Sequence, residues 1–171
     1  ATPLMIAALN SHVEVVKILV GCVGIDINQP FAGRTPLWLA ACAGHVEVVK
    51  ILVGCVGIDI NKSNSKGRTP LIKAATRRHV EVIKIMLGCE GIDINKSDSE
   101  GATPLVKAAC KGHVEVVKIL LGCEGIDINK SMRDGRSPLW LAAQERHVKV
   151  VKVLLGCEGI DINKSDSTGI T

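Results

Sequence analysis

Histidine, aspartate, cysteine and asparagine recur along this chain in register, and each could in principle do chemistry. The histidines are His12, His45, His79, His113 and His147, spaced 33 or 34 residues apart. Imidazole is a frequent metal ligand and general base. Rings carried by stacked units would stand about 10 Å apart, too far to share one ion, so each is read as a structural group bonded to a neighbouring loop. Asp26, Asp59, Asp93, Asp127 and Asp161 form a second ladder. Calcium needs about six or more oxygens around one point, which a ladder does not supply. No phosphate-binding glycine loop, nucleophile elbow or metal-ligand pair occurs. The chain reads as no enzyme, with no cofactor and no small-molecule substrate.

The seven cysteines fall into two columns: Cys22, Cys55, Cys89, Cys123 and Cys157, then Cys42 and Cys110. Units packed at helix–helix distance stand about 8–10 Å apart, beyond the ~7 Å Cα separation that a disulfide spans. An odd count and the absence of CxxC also argue against disulfide and zinc frameworks. The reading is buried free thiols in a reducing, intracellular and cytoplasmic setting. Asn61, Asn95, Asn129 and Asn163 each open an N-x-S tripeptide. In that setting these are accidental glycosylation acceptors. The serines at the turn tips, Ser63, Ser97, Ser99, Ser165 and Ser167, have no context that marks them for phosphorylation.

The elements that would position these columns are visible in Thr69–Asn95, TPLIKAATRRHVEVIKIMLGCEGIDIN. Copies open at Thr2, Thr35, Thr69, Thr103 and Ser137, in steps of 33, 34, 34 and 34 residues. A fixed period of this size is the signature of a solenoid. Thr69 is a good N-cap and Pro70 suits the first helical position. A helix is predicted from Pro70 to Arg77, a tight turn at Arg78 and His79, and a second helix from Val80 to Leu87. Val80, Ile83 and Leu87 share a face in that helix while Glu81 and Lys84 take another. Gly88 ends it. GIDIN and the polar run after it read as an extended connector and turn. The first step is one residue shorter because the Asn28–Gly33 loop is shorter.

These residues carry a resemblance. The pattern TPLxxAAxxGHVEVVKxLL, then GIDIN, then GRTPL resembles the ankyrin repeat over the whole chain. The family usually has His after TPL; Met5, Trp38, Ile72, Val106 and Trp140 stand there instead. The resemblance implies an all-α solenoid of stacked helix-turn-helix units joined by β-turn-like loops. Asn of GIDIN would brace each loop from inside. One domain, 1–171, would hold repeats 1–28, 29–61, 62–95, 96–129 and 130–163, with the start of a sixth at 164–171. No polar capping repeat is visible at either end, which suggests a segment of a longer or an engineered array.

Composition agrees with thin stacked helices: apolar residues are 47% and aromatics 2%. The core must therefore be Val, Ile, Leu and Ala. No apolar stretch approaches the ~20 residues of a membrane span, and nothing resembles a signal peptide. Arg78 and Arg146 replace Gly44 and Gly112 at a turn that wants a left-handed backbone, costing about 1 kcal/mol each.

The resemblance also implies where a partner binds: the concave face of turn tips and first helices, where the copies differ most. Carried over by position, the candidates are Arg34, Trp38, Lys66, Arg68, Lys73, Arg77, Arg78, Lys107, Lys111, Arg133, Arg136, Trp140, Glu145 and Arg146. Cys42, Ala43, Ser65, Thr76, Ser99, Glu100, Ala102, Cys110, Asp134 and Gln144 lie in the same variable columns. Trp38 and Trp140 are open to two readings, packing or interface anchor; so is Phe31 at its turn. The face is mostly basic, in line with a net charge of +4. It predicts a scaffold that binds another protein through an acidic segment. The alternatives are a spacer in a long array without a dedicated partner and, more weakly, nucleic-acid binding, for which stacking aromatics are almost absent. Uncapped ends also allow end-to-end self-association.

Overall fold

The computed structural model describes residues 1–169; Ile170 and Thr171, the end of the expected sixth copy, lie outside them. Ten helices form five antiparallel pairs among the described residues: α1 Pro3–Leu9 with α2 Val13–Val20, α3 Pro36–Ala43 with α4 Val46–Val53, α5 Pro70–Arg77 with α6 Val80–Leu87, α7 Pro104–Cys110 with α8 Val114–Leu121, and α9 Pro138–Gln144 with α10 Val148–Leu155. First helices pack on first helices and second on second, each pair touching the next. The array is an all-α solenoid.

The sequence causes of these helices act as expected. The hydroxyls of Thr2, Thr35, Thr69, Thr103 and Ser137 each accept the N–H three residues on, at 3.1–3.3 Å. Proline follows at the first helical position every time. Gly88 ends α6, but with φ −79°, in right-handed backbone; the left-handed glycine comes later, at Gly91 with φ 76°.

One continuous core runs along the stack. Leu37, Leu71 and Leu105 are wholly buried, as are Ala41, Ala75 and Ala109. Alanine at that column keeps neighbouring first helices close. Each buried leucine contributes about 1.5–3 kcal/mol, with neighbouring repeats sharing in the burial.

Two polar ladders lock the register. His45 Nε2 lies 2.8 Å from the Leu9 carbonyl, His79 3.1 Å from that of Cys42, His113 3.2 Å from Thr76 and His147 3.0 Å from Cys110. A carbonyl only accepts, so Nε2 carries the proton. The expectation of a bond to a loop is corrected: the acceptor is the last turn of the preceding first helix, whose carbonyls have no intrahelical partner. The asparagines brace the connectors, as the resemblance implied. Asn95 Nδ2 donates to the Gly125 carbonyl at 2.7 Å and its Oδ1 accepts the Asp127 N–H at 3.0 Å. Asn28, Asn61 and Asn129 repeat the arrangement. Each aspartate of the second ladder caps its own turn, Asp93 accepting the Asn95 N–H.

The short loop has a local cause. Phe31 and Arg34 exchange both backbone hydrogen bonds at 3.0 Å around Ala32 (φ 50°) and Gly33 (φ 71°). That is a two-residue hairpin turn with both central residues left-handed. In the next copy Asn64 pairs with Arg68 around three residues, with Gly67 left-handed. Phe31 is 59% exposed at its tip.

The thiol reading needs correction. All seven cysteines are free, but Cys22 is exposed and the other six are half-buried. The column sits just past each second helix, where Sγ of Cys55, Cys89 and Cys123 donates to a carbonyl one turn back. Desolvation raises these three thiols above the ordinary cysteine pKa, so they hold little thiolate.

Candidate protein-docking face

The predicted binding residues come from turn tips and first helices, and the tips are tied to one another. The Ser99 N–H donates to the Lys66 carbonyl at 3.0 Å, and that of Arg133 to the Glu100 carbonyl at 2.9 Å. Lys66 and Arg133 are both exposed on this edge, with the Ser99–Glu100 turn between them.

Trp38 is not an exposed anchor. It is 5% exposed, and its indole N–H donates to the Arg68 carbonyl at 2.8 Å. Packing beside Met5, Leu39 and Cys42 fills the place where the family usually has His. Trp140 is half-buried and lines a cavity of about 500 Å³ with Leu139, Ala143 and Ile162. Ala102, in the variable set, is wholly buried and faces no partner.

The basic residues divide into two groups. In the first, the cation already has a carboxylate. Asp98, 5% exposed, accepts the N–H groups of Glu100 and Ala102 on Oδ1, each at 3.0 Å. Its Oδ2 lies 3.2 Å from Lys107 Nζ and 3.4 Å from Arg68 Nε. Glu100 adds a second carboxylate to both cations. Burial alone would raise the Asp98 pKa; the two backbone donors and Lys107 outweigh it and hold the carboxyl below its usual range. Arg136 likewise pairs with Asp134 at 2.7 Å and lies over Trp140.

In the second group, Arg34, Lys66, Lys73, Arg77, Lys111, Arg133 and Arg146 have no acidic side chain within ion-pair distance among the described residues. Arg34 and Lys73 both lie over the Trp38 ring, at 5.3 and 5.6 Å from its centroid. Arg77 donates to the Cys42 carbonyl at 3.0 Å. Glu145 and Arg146 are exposed at the end of α9.

Arg78 stands apart. It faces Glu115 on the neighbouring second helix and lines a groove with Lys84, Lys118 and Lys149. That is the side of the second helices, not of the first. The left-handed conformation predicted for Arg78 and Arg146 is present, at φ 61° and 57°, and Ser11 shares it.

A family model described as ankyrin repeats (3 copies) matches residues 1–64, 56–132 and 90–166. The chain belongs to the ankyrin repeat family. No curated protein matches it. Ankyrin repeats are in general protein-interaction modules, and among the described residues no helix is long and apolar enough to cross a membrane.

Two residues that shape the surface of the ankyrin array escaped the sequence reading. Asp98 was hidden because its column reads Asn64, Asp98, Met132 and Asp166. The signal was local: Asp three residues before a Gly caps a turn. Lys149 stands where the other repeats have Glu14, Glu47, Glu81 and Glu115. The i,i+3 pair with lysine that closes in the first three repeats is absent from the fifth for that reason.

Proposed function

We propose that this ankyrin array is a non-catalytic scaffold that binds an acidic segment of a partner protein along its turn tips and first helices. The observation that carries the reading is the divided charge of that face. Cations such as Lys66, Lys73, Arg77 and Lys111 stand without acidic neighbours within ion-pair distance among the described residues, on turns and first helices of repeats whose packing columns are nearly identical from copy to copy. Complementary charge of this kind steers encounter and selects partners.

The test is affinity capture with the parent chain and a Lys66→Glu, Arg77→Glu, Lys111→Glu variant, followed by titration with the purified captured protein. Arg68 and Arg136 are left alone, because reversing them would break internal pairs. A partner bound by the parent and lost from the variant supports the scaffold. The same captures from both would favour the spacer reading. A steep salt dependence with random-sequence RNA would favour nucleic acid instead.

A further inference from the structure

Arg68 and Lys107 form a cation pair with its carboxylate built in. Arg68 precedes α5 and Lys107 lies in α7, one repeat on. Asp98 and Glu100, from the turn leading into α7, sit between them at 3.2–3.9 Å. One repeat earlier the same positions are Arg34 and Lys73, with the turn residues Asn64 and Lys66. Both cations are therefore kept and both carboxylates are missing.

Other features fix the place. Trp38 holds its ring through the bond to the Arg68 carbonyl, and Arg34 and Lys73 are each within 6 Å of its centroid, at 5.3 and 5.6 Å. Lys73 and Arg77 are one helical turn apart on α5, beside Trp38 and Cys42 on α3, and Arg77 reaches across to the Cys42 carbonyl. Asn64 Oδ1 accepts the N–H groups of Lys66 and Arg68, each at 3.0 Å. Asp98 makes the same two bonds one repeat later. The two turns thus share one frame and differ in charge. Desolvation lowers the Lys73 pKa, and Arg77, Arg68 and Arg34 lower it further, against the Cys42 thiol. It is a cation among cations.

We propose that Arg34 and Lys73, flanked by Arg77, form a subsite for a glutamate or aspartate side chain of the partner segment, which takes the place that Asp98 and Glu100 occupy one repeat later. The proposal rests on the scaffold reading and assigns where on the face its acidic partner is gripped. A charge-assisted clamp of two cations on one carboxylate has the stronger class of hydrogen bond. The intramolecular copy shows that this frame accommodates it.

The test uses the whole chain and a capped octapeptide of alternating Glu and Gly, titrated by calorimetry at low salt. Lys73→Gln is expected to weaken binding about tenfold, the order of one charge-assisted bond. Lys152→Gln removes the same charge from α10 and is expected to change it less than about twofold, as a distant charge acts only through the screened field. Lys73→Arg keeps binding. Asn64→Asp is the sharper variant. It installs the carboxylate of Asp98 in a turn that already makes the Asp98 bonds, so it is expected to fold and to abolish peptide binding by filling the subsite from within.

Equal losses from Lys73→Gln and Lys152→Gln would overturn the proposal in favour of a diffuse field. So would unchanged binding in folded Asn64→Asp. Displacement of the peptide by inorganic phosphate at a tenth of its carboxylate concentration would make this a phosphate site and overturn the carboxylate assignment. If the octapeptide fails to bind at all, the subsite falls. The scaffold reading is then judged separately, by the capture with the Lys66, Arg77 and Lys111 variant.

Discussion

Lys107 Nζ lies 3.2 Å from Oδ2 of Asp98, a carboxylate whose side chain is 1% exposed. A charge so enclosed is stable only because each of its oxygens is matched, Oδ1 by two backbone N–H groups and Oδ2 by Lys107 and Arg68.

Asp98 should therefore dominate the acid response of the middle repeats. Its folded pKa is depressed, so its contribution is complete above the ordinary carboxylate value of about 4 and is lost as pH falls through the lower folded value. Asp98→Ala should cost about 2–3 kcal/mol at neutral pH, the range for charged hydrogen bonds. Asp98→Asn should cost less and flatten the fall in stability below pH about 4. Urea melts at several pH values would show it. An acid limb unchanged in Asp98→Asn would mean other carboxylates carry it.

Left-handed turns give a paired prediction. Arg78→Gly should stabilise by up to about 1 kcal/mol, raising Tm by a few degrees in a chain of this size. The pair with Glu115 is long, at 3.9 Å, and exposed, so little is lost with it. Gly44→Ala should destabilise by at least about 1 kcal/mol. An added Cβ there would stand 2.6 Å from the His79 ring. The ring has room to yield, since Ser11 carries a Cβ in the same conformation and the His45 bond still forms. A lower Tm for Arg78→Gly would refute the strain argument.

The asparagine ladder should be costly to cut. Asn95→Ala removes two bonds that join repeats three and four, worth about 1–3 kcal/mol together. Because stability in a solenoid passes through nearest neighbours, the loss should appear as a split in a denaturant melt, with the halves unfolding apart. A single transition shifted by less than about 0.5 kcal/mol would show the ladder to be incidental. Asn163, at the end of the ladder, should tolerate alanine.

What the sequence determined by itself is the repeat and its helices. Cap hydroxyl, proline and apolar spacing are local causes, and α5 and α6 occupy the residues those causes predicted, Pro70–Arg77 and Val80–Leu87. The left-handed turn at Arg78 was legible for the same reason, as a glycine column interrupted by arginine. What only the tertiary structure decided is which charges remain available. Arg68, Lys107 and Arg136 look the same in sequence as Arg34 and Lys73. Their neutralisation depends on carboxylates brought in by a turn of the same or the adjoining repeat. Trp38 looks like an anchor until its indole finds the Arg68 carbonyl, 30 residues away. The half-exposed thiols are a third case, because a helix end gives no sign in sequence of how much its neighbour covers. Periodicity fixes which residues share a column; only the stacking distance and the turn geometry settle what lies across from each.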